Sequence, residues 1–149
     1  MNRIWYLSPS NQGANLGVDG YGSERDQMYR LVLEITPHLD RAGVCFVVPE
    51  KDVSLTERVK QSNDLGAVFH LALHSNAGGF GKARGPVALY YSEAGQDICR
   101  KLVDALLALG QQLVGAALCP DLRRGGQEDL HIRLGQHHST DIPAVHDHI

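Results

Sequence analysis

Residues 67–73 read Ala-Val-Phe-His-Leu-Ala-Leu, a run in which His70 is the sole polar side chain. It is too short for a buried helix and shows none of the apolar/polar alternation of a strand with one wet face. A strand of this kind must be covered on both sides, which happens chiefly in parallel sheets flanked by helices. With strands and helices alternating on either side of it, that run argues for a layered α/β design.

The neighbouring segments supply the other layers. Residues 3–7 read as a first strand ended by Ser8-Pro9-Ser10, and a loop rich in Gly, Asn and Asp runs on to Ser23. Ser23 is a good N-cap for a helix that places Met28, Leu31, Val32, Ile35 and Leu39 at helical spacing and stops at Gly43. Pro37 is expected to weaken or kink its last turn. Residues 44–48 make a second strand, and Ser54-Leu-Thr-Glu57 matches a capping box that opens a helix toward Leu65. After residues 67–73 come a glycine-rich loop (78–85), a strand (86–91) and a long amphipathic helix marked by Ile98, Leu102, Ala105, Leu106, Leu109 and Leu113. Residues 120–126 form a basic turn, residues 130–134 a short strand, and residues 142–145 the start of a last one. The expected fold is therefore α/β: a single domain over residues 1–149 with a twisted, mixed, largely parallel sheet and helices on both faces. Its last strand is expected to be incomplete.

Composition excludes several classes. With 43% hydrophobic and 21% charged residues and no low-complexity tract, the chain has an ordinary globular profile rather than a disordered one. A net charge of −3 with mixed signs and no basic arm or stripe argues against nucleic acid as a partner. The apolar run at residues 4–7 is too short for a signal peptide, and no stretch is long enough to span a bilayer. Cys45, Cys99 and Cys119 lack metal-type spacing, and the apolar surroundings of Cys45 and Cys99 predict buried free thiols. Gly-x-Ser-x-Gly, Gly-x-Gly-x-x-Gly and P-loop patterns are all absent.

In open α/β sheets, chemistry gathers beyond the carboxyl ends of the strands. Two residues stand out on that edge. Glu24 lies in the first turn of the first helix, four residues before Met28, a spacing that turns it toward the buried side. A carboxylate there either suits the helix dipole or binds a metal. His74 closes the apolar strand at a loop of small residues, where a neutral imidazole is either a structural group or a good zinc ligand. His70 shares its face, but four strand residues separate the two by roughly 13 Å, too far for one ion. His70 thus reads as a packed histidine.

The elements Tyr6-Leu-Ser-Pro-Ser-Asn-Gln12, Tyr21-Gly-Ser-Glu24, Leu71-Ala-Leu-His74-Ser-Asn-Ala77, Arg84-Gly-Pro-Val-Ala-Leu-Tyr90-Tyr91 and Ile142-Pro-Ala-Val145 follow one another in the order seen in zinc-dependent N-acetylmuramoyl-L-alanine amidases. The chain resembles that family over essentially its whole length, and the Ser-Pro-Ser-x-Gln opening is similar to its phage and prophage lysins. The resemblance implies a peptidoglycan hydrolase that uses zinc-activated water to cleave the amide between N-acetylmuramic acid and L-alanine. It assigns Glu24 and His74 to two zinc positions. Asn76, Gly78 and Arg84, at and beyond the strand end, become candidate substrate-binding residues. Bacterial peptidoglycan is the implied partner; oligomeric state is not readable.

Two departures from the family pattern shape the remaining expectations. The histidine that supplies the family's first ligand is replaced within Ser8-Pro-Ser-Asn11-Gln12, leaving Gln12, Asp19 and Asn11 as alternatives in that order. Beyond Pro143-Ala-Val145, His148 stands where the family carries its catalytic glutamate, and Asp147 is one residue out of register. His148 is the candidate catalytic base or a further ligand. The histidines at 131, 137, 138, 146 and 148 also suit nonspecific metal binding. The alternative is thus an impaired amidase-fold remnant that binds zinc or muropeptide without turnover. The resemblance implies synthesis in the cytoplasm, without a signal peptide, and action at the cell wall after phage-type release.

Overall fold

A computed structural model describes residues 3–17, 22–76, 87–90, 92–108, 115–118 and 129–135. Strand β1 (Ile4–Pro9) is followed by helix α1 (Glu24–Arg41), β2 (Cys45–Val47), α2 (Leu55–Asp64), β3 (Phe69–Asn76), β4 (Val87–Tyr90), α3 (Glu93–Ala108), β5 (Gly115–Leu118) and β6 (Asp129–Gly135). The six strands form one sheet in the order β2-β1-β3-β6-β4-β5. Every neighbouring pair is parallel except β4 with β6. The mixed, largely parallel α/β sheet is thus present.

Local chemistry explains the helix ends. The Ser23 hydroxyl accepts the Asp26 N–H at 3.2 Å, and the Ser54 hydroxyl accepts the Glu57 N–H at 3.2 Å, each satisfying a donor the first turn would otherwise leave unmade. Gly43 and Gly66 adopt φ of +70° and +59° just past α1 and α2, a conformation that costs glycine nothing. Pro37 lies inside α1, which runs on to Arg41.

The register of β1 on β3 pairs Trp5 with Phe69, Leu7 with Leu71 and Pro9 with Leu73. Alternate side chains face opposite ways, so these residues line one face. Leu7, Phe69, Leu71 and Leu73 join Met28 and Val32 of α1, Ala88 of β4, and Cys99 and Val103 of α3 in one buried cluster. On the opposite face the Tyr6 ring lies against His70 with centroids 5.0 Å apart, and the Tyr6 hydroxyl donates to Gln61 Oε1 of α2 at 2.7 Å. Helices therefore cover both faces, α1 and α3 on the apolar one and α2 on the polar one.

Several expectations change in detail. Strand β3 begins two residues later than expected and continues to Asn76, because its pairing with β6 runs from His70 to Asn76. His74 consequently lies two residues inside the strand rather than at its close. The short strand near residue 130 lies inside the sheet, between β3 and β4. Strand β5, Gly115-Ala-Ala-Leu118, was not foreseen at all, since a four-residue run of small side chains carries little strand signal. Cys99 is buried, and burial pushes its thiol up to about 11. Cys45 corrects the reading of two buried thiols: it is exposed, because β2 is a three-residue edge strand paired on one side. Cys119 and the segment expected to begin a last strand lie outside the described residues.

Candidate functional site

Strands β1 and β3 run parallel, so Pro9 and Asn76 end at the same edge of the sheet, and α1 begins beside them. The loop between β1 and α1 folds back on itself: Gly17 N–H donates to Gly22 O at 2.8 Å, Leu16 bridges Ser23, and Glu24 N–H donates to Asn15 O at 2.7 Å. Ser10 N–H donates to Leu73 O at 2.8 Å, which fastens the start of this loop to β3. These contacts bring the first turn of α1 against the end of β3.

Glu24 and His74 meet there. Glu24 Oε1 lies 2.9 Å from His74 Nδ1 and 3.3 Å from the Ser75 N–H, while Oε2 accepts from Asn15 Nδ2 at 2.9 Å. The Glu24 side chain is only 6% exposed, that of His74 20%, so the pair forms the floor of the edge with the imidazole toward solvent. Burial pushes the Glu24 carboxyl upward, but hydrogen bonds from Asn15, Ser10 and His74 outweigh it and hold the group below the ordinary carboxylate range. Glu24 is thus kept ionised, with its charge aimed at the imidazole. A buried carboxylate and a partly exposed imidazole in contact can hold a cation or relay a proton.

The third candidate is close but not in contact. Gln12 Oε1 accepts a hydrogen bond from Asn15 Nδ2, the same amide that donates to Glu24, so Gln12 sits one side chain away from the pair. Asn11 is turned elsewhere, its amide donating to Val53 O at 3.3 Å. Among the described residues, no three His, Cys, Asp or Glu side chains converge to hold a metal. Asn76 is the final residue of β3. Asp19, Gly78, Arg84, Asp147 and His148 lie outside the described residues. His70 is 4% exposed, and burial, aided by the Arg58 charge, pushes its imidazole down to about 4. It is a neutral, packed histidine remote from Glu24.

Sequence reasoning missed Asn15 and Ser10, which hold the carboxylate. Ser10 lies within the Ser-Pro-Ser element, so position alone hinted at it; Asn15 gave no signal before the loop was seen to fold back. It also missed Arg58, a helix residue with the charge of a surface group that is 1% exposed.

No protein-family model matches the sequence, and no curated protein matches it significantly. Solved structures do. The catalytic domain of CwlV, an N-acetylmuramoyl-L-alanine amidase from Bacillus (Paenibacillus) polymyxa var. colistinus, superposes with a TM-score of 0.76 at 16% identity, covering 89% of this chain and 79% of that one. The N-acetylmuramyl-L-alanine amidase Ami1 from Mycobacterium smegmatis gives 0.72 at 20% identity, covering 90% and 83%. The catalytic domain of the CD27L endolysin targeting Clostridia difficile gives 0.69 at 23% identity, covering 87% and 78%. The chain has the fold of the N-acetylmuramoyl-L-alanine amidase catalytic domain.

Proposed function

We propose that this protein is a peptidoglycan hydrolase of the zinc amidase kind, cleaving the amide between the lactyl group of N-acetylmuramic acid and L-alanine. The observation that carries the reading is the Glu24–His74 contact at the carboxyl edge of a sheet whose fold is that of amidases. The donor chemistry fits the ion. Two ligands of a tetrahedral zinc, bound at about 2.0–2.2 Å, stand roughly 3.3 Å apart, and Glu24 Oε1 and His74 Nδ1 are 2.9 Å apart. Small side-chain shifts would therefore let both reach one ion. Gln12 is the third ligand in this reading; its amide oxygen is a weaker donor than imidazole, which predicts modest affinity.

Zinc, when bound, supplies a Lewis acid that brings a water molecule near neutrality in pKa. The residues of the chain do the rest. Glu24 and His74 would hold the ion, Asn15 and Ser10 orient the carboxylate by hydrogen bonds, and the imidazole, 20% exposed, keeps the pair in reach of solvent. Asn76, Gly78 and Arg84 orient the glycan-peptide chain beside it, and His148 accepts and returns the proton that the family's glutamate handles. A ligand imidazole must offer an unprotonated ring nitrogen to the ion and the carboxylate must be ionised, so uptake should weaken as pH falls. Site of action is the bacterial cell wall, reached by phage-type release. No helix of the described residues is long and apolar enough to cross a membrane.

The second reading, a remnant that binds zinc or muropeptide without turnover, is favoured by one observation: a histidine occupies position 148 where the resemblance expects glutamate. Two measurements separate the readings. Purified protein should contain about one zinc per chain, and Glu24→Ala or His74→Ala should each release it; zinc content unchanged in both variants refutes the site. Incubation with purified peptidoglycan should then liberate new L-alanine amino termini. Zinc uptake without such termini decides for the remnant.

A further inference from the structure

Arg58 is the largest side chain among those almost wholly shielded from solvent, and no carboxylate pairs with it among the described residues. Burying a cation without a counterion is costly, and an apolar residue of like volume would pack α2 against the sheet as well. Its donors are instead divided among carbonyls of the loop before α2, the Tyr29 hydroxyl of α1 and the last carbonyl of β1. Nε donates to Val53 O at 2.9 Å, and Nη2 to Lys51 O at 3.0 Å, Glu50 O at 3.3 Å and the Tyr29 hydroxyl at 3.5 Å. Nη1 donates to Pro9 O, the last carbonyl of β1.

Both segments that Arg58 grips lead to Glu24. Pro9 is followed by Ser10, whose amide is bonded to Leu73 O and whose hydroxyl supports the Glu24 carboxylate. The segment at residues 49–53 reaches the first turn of α1 through Asp52 with Arg25 at 2.8 Å and Lys51 with Asp26 at 3.0 Å. Arg25 and Asp26 are the two residues after Glu24. One planar guanidinium thus ties together the end of β1, the loop before α2 and the start of α1, with a donor count and fork geometry that lysine lacks.

We propose that Arg58 is a positioning residue for this site: it sets the placement of Glu24 against His74 and thereby the affinity of the pair for a divalent cation. The cation part rests on the metal reading above; the geometric part does not. In Arg58→Lys, Zn2+ affinity should fall by about tenfold or more, the range for residues that orient ligands, and the visible bands of the Co2+-loaded protein should shift. In metal-free protein, hydrogen exchange at the Ser10 and Ser75 amides should accelerate at least several-fold, while the Val32 amide of α1 and the Leu71 amide of β3 keep their protection. A lower melting temperature with unchanged metal affinity and unchanged Ser10 and Ser75 exchange overturns the proposal. Should Arg58→Lys fail to fold, the double variant Lys51→Ala/Asp52→Ala cuts the loop from α1 at exposed positions; a few-fold loss of Zn2+ affinity at constant melting temperature supports the proposal and no loss overturns it. If the parent protein takes up neither Zn2+ nor Co2+, the metal reading falls, while faster Ser10 and Ser75 exchange in Arg58→Lys still upholds the positioning role.

Discussion

On one face of the sheet Leu7, Phe69, Leu71 and Leu73 meet Met28 and Val32 of α1 and Cys99 and Val103 of α3; on the other, Tyr6 and His70 from the same two strands meet Gln61 and Arg58 of α2. The first face is held by burial, a force without direction that tolerates local repacking. The second is held by hydrogen bonds and charge, which have direction and tolerate little displacement. Glu24 belongs to a helix packed on the first face, whereas His74 shares the parity of Tyr6 and His70 on the second. The site therefore forms where an apolar layer that supplies stability adjoins a polar layer that supplies position.

Each layer can be broken separately. Leu7 is wholly buried at the centre of β1, so Leu7→Ala should cost about 2–5 kcal/mol in urea unfolding through lost transfer energy and a residual cavity. Zinc affinity measured below the unfolding transition should change little; a matching loss of affinity would mean that the faces are not separable.

The polar face should show itself in pH dependence. His70 has a folded-state value of about 4, below its ordinary 6.5. The folded form stays neutral while the unfolded chain takes up a proton, so stability is complete above about pH 6.5 and declines as pH falls toward about 4. The full decline is about 3 kcal/mol, taking about 1.4 kcal/mol per unit. His70→Phe, which keeps a ring against Tyr6, should flatten that slope in unfolding curves collected across this range. An unaltered slope would assign it to other groups. Glu24 acts in the same direction at lower pH: its lowered pKa stabilises the fold above the unfolded carboxylate value, and that contribution disappears as pH falls through the folded one.

A smaller effect tests how tightly the polar layer is wired. Burial pushes the Tyr6 hydroxyl up to about 12, and it donates to Gln61. Tyr6→Phe removes that bond and should cost about 1 kcal/mol. The proposed zinc uptake should be retained, since among the described residues no chain of hydrogen bonds or ion pairs leads from Gln61 to Glu24 as one does from Arg58; loss of uptake in Tyr6→Phe would extend the positioning network to α2 as a whole.

How far the sequence could be read divides along the same line. Periodicity and caps are local, and they located α1, α2 and β3 together with Ser23, Ser54 and Gly43. The inward turn of Glu24 followed from helical spacing against Met28, and the edge position of His74 from the apolar run before it. Asn15 was invisible because it acquires its partner only when the loop bends back to α1; Gln12 was ranked ahead of Asn11 from the sequence, but their separate partners, Asn15 for one and Val53 for the other, exist only in the fold.

By itself, then, the sequence determined the alternation of strands and helices, the double-sided burial of β3 and the residue types offered at its carboxyl edge, all of which depend on neighbours a few positions away. Only the tertiary structure decided that β6 enters between β3 and β4, that the four-residue β5 exists, that Cys45 stays exposed, and that Arg58 is buried with its donors spent on carbonyls as far off as Pro9. Strand pairing and the burial of a polar group are settled by partners distant in the chain, whose contribution no local pattern records.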